Sequence, residues 1–156
     1  MTRCPEPAVG TIQRDPTMKL PHIVNYNTRP KMAGEAKLFV VNIRPEYKND
    51  VGLHVHEYTH VVQWYICLAL TLLLAFISLL SPATTPLSIL LAIISPATHS
   101  LLYSLVPKYR LKCEVSAYRK QLARYPTNTS NEFAIEALTT KYNLKISREE
   151  AVRLLK

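Results

Sequence analysis

A mainly helical fold with one short β element is what this sequence predicts, on three observations. Tyr58 to Pro107 is a stretch of 50 residues with no Asp, Glu, Lys or Arg. A β-branched run at 37–44 precedes it, and a charged, helix-compatible segment follows it. The architecture expected from these is a pair of helices joined through a long apolar helical hairpin, with a strand in front.

Taken in order, residues 1–36 carry Pro5, Pro7, Pro16, Pro21 and Pro30 and little periodicity, which predicts an irregular arm. Lys37-Leu-Phe-Val-Val-Asn-Ile-Arg44 predicts a short strand, stopped by Pro45. Asp50 is the expected N-cap of a helix beginning near Val51. Val61 to Leu80 is nearly all apolar, and Leu87 to Val106 is a second, weaker apolar stretch. Each is long enough, at about 1.5 Å per residue, to match the roughly 30 Å hydrocarbon core of a bilayer. Ser81-Pro82-Ala83-Thr84-Thr85-Pro86 is the turn between them. The simplest reading of 61–106 is a membrane hairpin; the alternative is a hairpin buried in a soluble core or an oligomer. A chain of 156 residues offers one modest core, with little protein to cover two all-round apolar helices. Basic residues flank the hairpin on both sides: Arg29, Lys31, Lys37, Arg44 and Lys48 before it, Lys108, Arg110, Lys112, Arg119, Lys120 and Arg124 after it. The positive-inside rule then places both feet on the cytoplasmic side of a two-pass hairpin. Thr129-Ser-Asn-Glu132 and Ser147-Arg-Glu-Glu150 fit capping boxes and open two short helices in a 126–156 tail, where packing or partner docking is expected.

A net charge of +8 invites nucleic acid, but no nucleic-acid motif and no interleaving of aromatic with basic residues accompany it. Lipid headgroups are the partner expected of that charge, and nucleic acid is not. Cys4, Cys67 and Cys113 have no paired spacing, which excludes a disulfide framework or a cysteine-type zinc site. The polar N-terminal segment has no apolar core of the kind a cleavable signal peptide needs.

Chemistry enters at His56-Glu57-Tyr58-Thr59-His60. Histidines four apart on a helix lie on one face, where one zinc ion can meet both. The adjacent Glu57 is then placed to take a proton from a water molecule and deliver it to a leaving amine. Zinc lowers the pKa of bound water and polarises a scissile carbonyl. Its binding needs neutral histidines and so weakens at acidic pH. A tetrahedral catalytic site wants a third protein ligand. Continuation of the motif as x-x-Gly-x-x-His is excluded, since Gln63 and Ile66 occupy those positions. Glu114 is the first acidic residue after Glu57, and Ala117, Tyr118 and Gln121 share its helix face. Glu114 is therefore the candidate third ligand, against the alternative of a solvated surface acid. Tyr118 is the candidate for holding a ligand or steadying an oxyanion. An antiparallel hairpin returns the chain to its starting point, so His56, His60 and Glu114 end at its two feet. His54 points elsewhere and is expected on a loop carbonyl, and His99 on a Ser or a backbone carbonyl of its hairpin partner. Trp64 and Tyr65 fit an interfacial anchor or packing against the second helix.

The stretch His-Glu-Tyr-Thr-His-Val-Val-Gln at 56–63, with Tyr109-Arg-Leu111, Glu114, Ala117-Tyr-Arg119 and Gln121, resembles small gluzincin-type metallopeptidases of phage and bacterial genomes. These include the metallopeptidase domains of extracellular contractile injection systems. The resemblance covers roughly residues 37–122. It implies a minimal zincin-like fold over 37–125, zinc ligands at His56, His60 and Glu114, Glu57 as general base, and a peptide or protein substrate. The long apolar insert departs from the soluble members of that group. Intramembrane site-2-type proteases also carry His-Glu-x-x-His but take a later Asp, and no Asp follows Asp50. The expected activity is zinc-dependent peptide hydrolysis. The rival is a non-enzymatic membrane or assembly protein with a vestigial or structural metal site.

Overall fold

The computed structural model describes residues 19–28 and 30–156, so Cys4 and most of the proline arm lie outside the described residues. The chain is mainly helical with one small sheet. Strands β1 (Ile23–Tyr26), β2 (Gly34–Lys37) and β3 (Val40–Ile43) form a sheet in the order β1-β3-β2. β3 pairs in parallel with β1 and antiparallel with β2. The single strand expected over 37–44 is thus the second half of a hairpin. Leu38, at φ 57°, turns the chain between Lys37 and Val40. β1 and most of β2 lie within the segment expected to be irregular; Ile-Val-Asn-Tyr is strand-prone but only four residues long in a proline-punctuated arm, Gly-Glu-Ala-Lys is strand-poor, and both are held by pairing to β3. β2 is an edge strand, and it lies against the first long helix.

That helix, α1, runs Val51–Ser78. Asp50 caps it as expected, its carboxylate accepting from the Leu53 N–H at 2.9 Å. Its first turns bury Leu53, Tyr58 and Val61 against Val41 and Ile43 of β3. The second apolar stretch is not one continuous helix. α2 (Thr85–Ile94) and α3 (Thr98–Leu105) are separated by a 3-10 turn at Ser95–Ala97, where Pro96 supplies no N–H to an α-helical ladder. α4 (Pro107–Leu122) then runs antiparallel to α1. Cys67 meets Tyr109, Gln63 meets Cys113, His60 meets Glu114 and Asp50 meets Tyr125, so each step forward on α1 is a step back on α4. Among the described residues, two helical segments are long and apolar enough to cross a membrane, Val51–Ser78 and the broken Pro82–Leu105.

The tail packs on the back of α4. α5 (Glu132–Glu136), a π-helical turn at Ala137–Lys141 and α6 (Arg148–Leu155) bury Ile135, Leu138, Ala151 and Leu155 against Val115 and Tyr118. Ser147 caps α6 through the Glu150 N–H, as its box predicts. The Thr129 box does not form: α5 starts two residues later than a Thr129 cap requires, and Ser130 bonds the Glu132 N–H instead.

Candidate metal centre

Three side chains from two helices converge. His56 and His60 stand one turn apart on α1, and their Nε2 atoms are 3.3 Å from each other. Glu114 of α4 brings Oε2 to 3.6 Å from His56 Nε2 and Oε1 to 3.4 Å from His60 Nε2. Bonds of about 2.0–2.1 Å around a tetrahedral zinc put neighbouring ligand atoms roughly 3.3 Å apart. The two imidazole nitrogens and the two oxygens of one carboxylate are thus spaced so that these three residues could hold one ion beside the cleft. Glu114 is 1% exposed and His56 4%, so Glu114 is no solvated surface acid. Glu114 Oε2 is buried without a hydrogen-bond partner among the described residues. A buried carboxylate oxygen left unpaired is costly, and a cation between it and the two imidazoles removes that cost.

The surroundings hold each ligand. The Gln63 carbonyl accepts from His60 Nδ1 at 2.9 Å, while the Gln63 amide donates to the Cys113 carbonyl at 3.2 Å. That fixes the His60 proton on Nδ1 and leaves Nε2 free to ligate. Tyr103 of α3 donates to Glu114 Oε1. Tyr118 packs edge-on against the His56 ring, with centroids 4.4 Å apart, and its hydroxyl meets that of Tyr142 at 3.0 Å. Burial, with the Glu114 carboxylate nearby, pushes the Tyr142 hydroxyl well above its usual range and keeps it a donor. On the far side of His56 the Gln121 amide faces the ring. Gln121 Oε1 and His56 Nδ1 are both buried, each without another partner among the described residues. Gln121 in turn donates to Tyr125, and Tyr125 donates to the carboxylate of Asp50. The buried Cys113 thiol, pushed up to about 11 chiefly by desolvation, stays protonated and structural.

A cleft of about 630 Å³ opens over these residues. Gly34 to Lys37 of β2 form one wall, and His99, Ser100, Tyr103 and Ser104 of α3 form the other. His56, Glu57, His60 and Glu114 lie in it. Glu57 is buried beside the edge strand, where a Cβ on Gly34 would stand 2.6 Å from its Oε1. Only a residue without a side chain lets the carboxylate occupy that place. Gly34→Ala is therefore expected to displace Glu57 and destabilise the fold by about 1–3 kcal/mol, the usual cost of overpacking a filled site. Denaturant unfolding checks this; unchanged stability would mean that Glu57 is not held as described.

All five sequence-derived candidates are at the site. His56, His60 and Glu114 converge, Glu57 is beside them, and Tyr118 stands behind His56. Tyr118 does not line the cleft; the phenols that do are Tyr103 and Tyr142. His54 bonds the Lys48 carbonyl at 2.9 Å, as expected for a residue off the ligand face. His99 differs from expectation: it bonds not a Ser or carbonyl of the hairpin but the Tyr109 hydroxyl of α4, at 2.8 Å, because α3 packs against the start of that helix; Trp64 packs inward, donating to the Pro96 carbonyl. Gly34, Tyr103 and the Gln63 bridge were not anticipated. The chain matches no family model, no curated protein and no solved structure.

Proposed function

We propose that this protein is a membrane-associated zinc metallopeptidase of gluzincin type. The observation that carries the reading is the convergence of His56, His60 and Glu114 within 4.8 Å of one another, with Glu57 beside them in an open cleft. The ion they would hold supplies Lewis acidity toward a water molecule and a scissile carbonyl. The residues divide the remaining work. Glu114 and the histidines are ligands, held by Tyr103, Gln63 and Gln121. Glu57 is the buried carboxylate left uncommitted once Glu114 ligates, and it acts as the base that takes a proton from the attacking water and passes it to the leaving amine. Tyr118 fixes the plane of the His56 ring. The free edge of β2 supports a peptide substrate, since an extended chain can add to an exposed strand by main-chain hydrogen bonds. Membrane association is supported by the exposed apolar side chains of α1, α2 and the turn between them, Leu74, Phe76, Leu80 and Ile93 among them.

Purified chain should carry about one zinc, the stoichiometry of a single tetrahedral site, and His56→Ala should lose it. Metal analysis that finds none in the native chain after zinc loading would overturn the assignment. The exposed hairpin also favours a second reading, a non-enzymatic membrane protein in which the metal is structural. The two separate on Glu57→Gln, treated below.

A further inference from the structure

We infer that the apolar hairpin enters one leaflet of a bilayer and turns back within it, so that the protein is a monotopic anchor and not a two-pass span. The inference rests on the membrane association proposed above, and its observations are independent of the metal.

Depth is the first of them. α4 lies alongside α1 with Tyr109 against Cys67, and its first turns carry Lys108, Arg110 and Lys112. These cations suit anionic headgroups and mark the level at which the hydrocarbon can begin. Beyond Cys67, α1 has about 17 Å to run before it ends at Ser78, at ~1.5 Å per residue. One leaflet of hydrocarbon is about 15 Å deep, half the roughly 30 Å of a bilayer core. The hairpin above the charged helix is therefore one leaflet long. The returning arm agrees. α2 descends beside α1, with Ser88 bonded to the Ala75 carbonyl, and α3 begins where Thr98 touches Thr71. α3 ends two residues before Pro107, which opens the helix whose Tyr109 reaches Cys67. Both ends of α3 lie near one level, so it crosses the foot of the hairpin and does not extend a span.

The turn is the second observation. A loop that emerged on the far side of a membrane would sit in water and could leave its polar groups to the solvent. Here four of the turn's N–H groups are closed on carbonyls of the same segment. The Leu79 N–H donates to the Phe76 carbonyl and Leu80 to Ile77; Thr84 donates to Ser81 and Thr85 to Pro82. Pro82 and Pro86 have no N–H, and the Thr84 hydroxyl donates to the Ser78 carbonyl at 2.5 Å. No charged residue, Gly, Asn or Asp occurs between Leu79 and Ile94. Internal satisfaction of backbone polar groups is what hydrocarbon demands and water does not. Leu70, Leu74, Phe76, Leu80, Leu90 and Ile93, each more than half exposed, face outward around this tip with no protein over them among the described residues.

The test uses the full chain in phosphatidylcholine/phosphatidylglycerol vesicles with bromines at defined acyl positions. Leu80→Trp adds an indole at the tip, at a side chain already 77% exposed, and the native Trp64 signal is subtracted. The expected result is flotation with the vesicles and quenching of the added indole about twofold stronger by bromines near the chain ends than by bromines near the headgroup, as for a group close to the bilayer midplane. Strongest quenching by the shallow bromines would place the tip at a headgroup layer, as in a full span, and overturn the inference. So would failure to float, including a discrete oligomer that hides the hairpin between copies. Zinc content is measured on the same sample, so failure of the metal site and failure of the leaflet depth are read separately.

Discussion

Glu57→Gln should retain its zinc and lose hydrolysis, with turnover falling by about 10²–10⁴-fold, the range that a positioned general base contributes. The substitution is nearly isosteric, so the fit against Gly34, where a Cβ would come within 2.6 Å of Oε1, is preserved. His56, His60 and Glu114 are untouched, and so is the Tyr103 donor to Glu114. What is removed is the capacity to accept a proton. KM should change little, because the loss belongs to the transition state and not to uniform binding. The measurement is a steady-state assay on a quenched-peptide library with zinc determined on the same protein. Full activity with bound zinc would end the assignment of Glu57, and activity absent from both proteins would favour the non-enzymatic reading.

Glu114→Gln should move two quantities in opposite directions. Zinc affinity should fall by at least about 100-fold, since even partners of ligands cost 10–100-fold when lost and Glu114 is proposed as a ligand itself. Metal-free protein should gain stability, by about 1 kcal/mol, because a carboxyl group buried to 1% exposure with one unpartnered oxygen is replaced by an amide whose NH2 can donate toward His56. The Tyr103 hydroxyl keeps an acceptor in the Gln carbonyl. Thermal unfolding with chelator and with excess zinc separates the two effects. A variant equally destabilised in both conditions would show that Glu114 serves packing and not a cation.

The helical half of the molecule was legible because its determinants are local. Asp50 announces the start of α1, and the four-residue spacing of His56 and His60 fixes their common face. Glu114 with Ala117, Tyr118 and Gln121 reads as the inward face of α4 from periodicity alone. The hairpin logic that returns Glu114 to His56 followed from length and charge. What escaped depends on pairing and packing that composition does not announce. Gly-Glu-Ala-Lys is a poor strand by composition, and β2 exists because β3 pairs with it. Tyr103 sits in an apolar run that reads as a span. Its role appears only when Pro96 breaks that run and turns α3 across the site. Gly34 carried a faint signal, as one of three glycines in the chain, but nothing local tied it to Glu57.

The chain of side chains behind His56 has a consequence for how metal and fold depend on each other. Asp50 caps α1 through the Leu53 N–H, and the same carboxylate anchors Tyr125, which holds the Gln121 amide set against His56. One acid thus serves the start of a helix and the back of a ligand on that helix. Whatever draws His56 toward an ion also tightens the nucleus from which α1 grows. If His56 ligates an ion as proposed, occupancy of the site and order at the mouth of the helix become two readings of a single equilibrium, and loss of the ion would be felt as fraying around Val51.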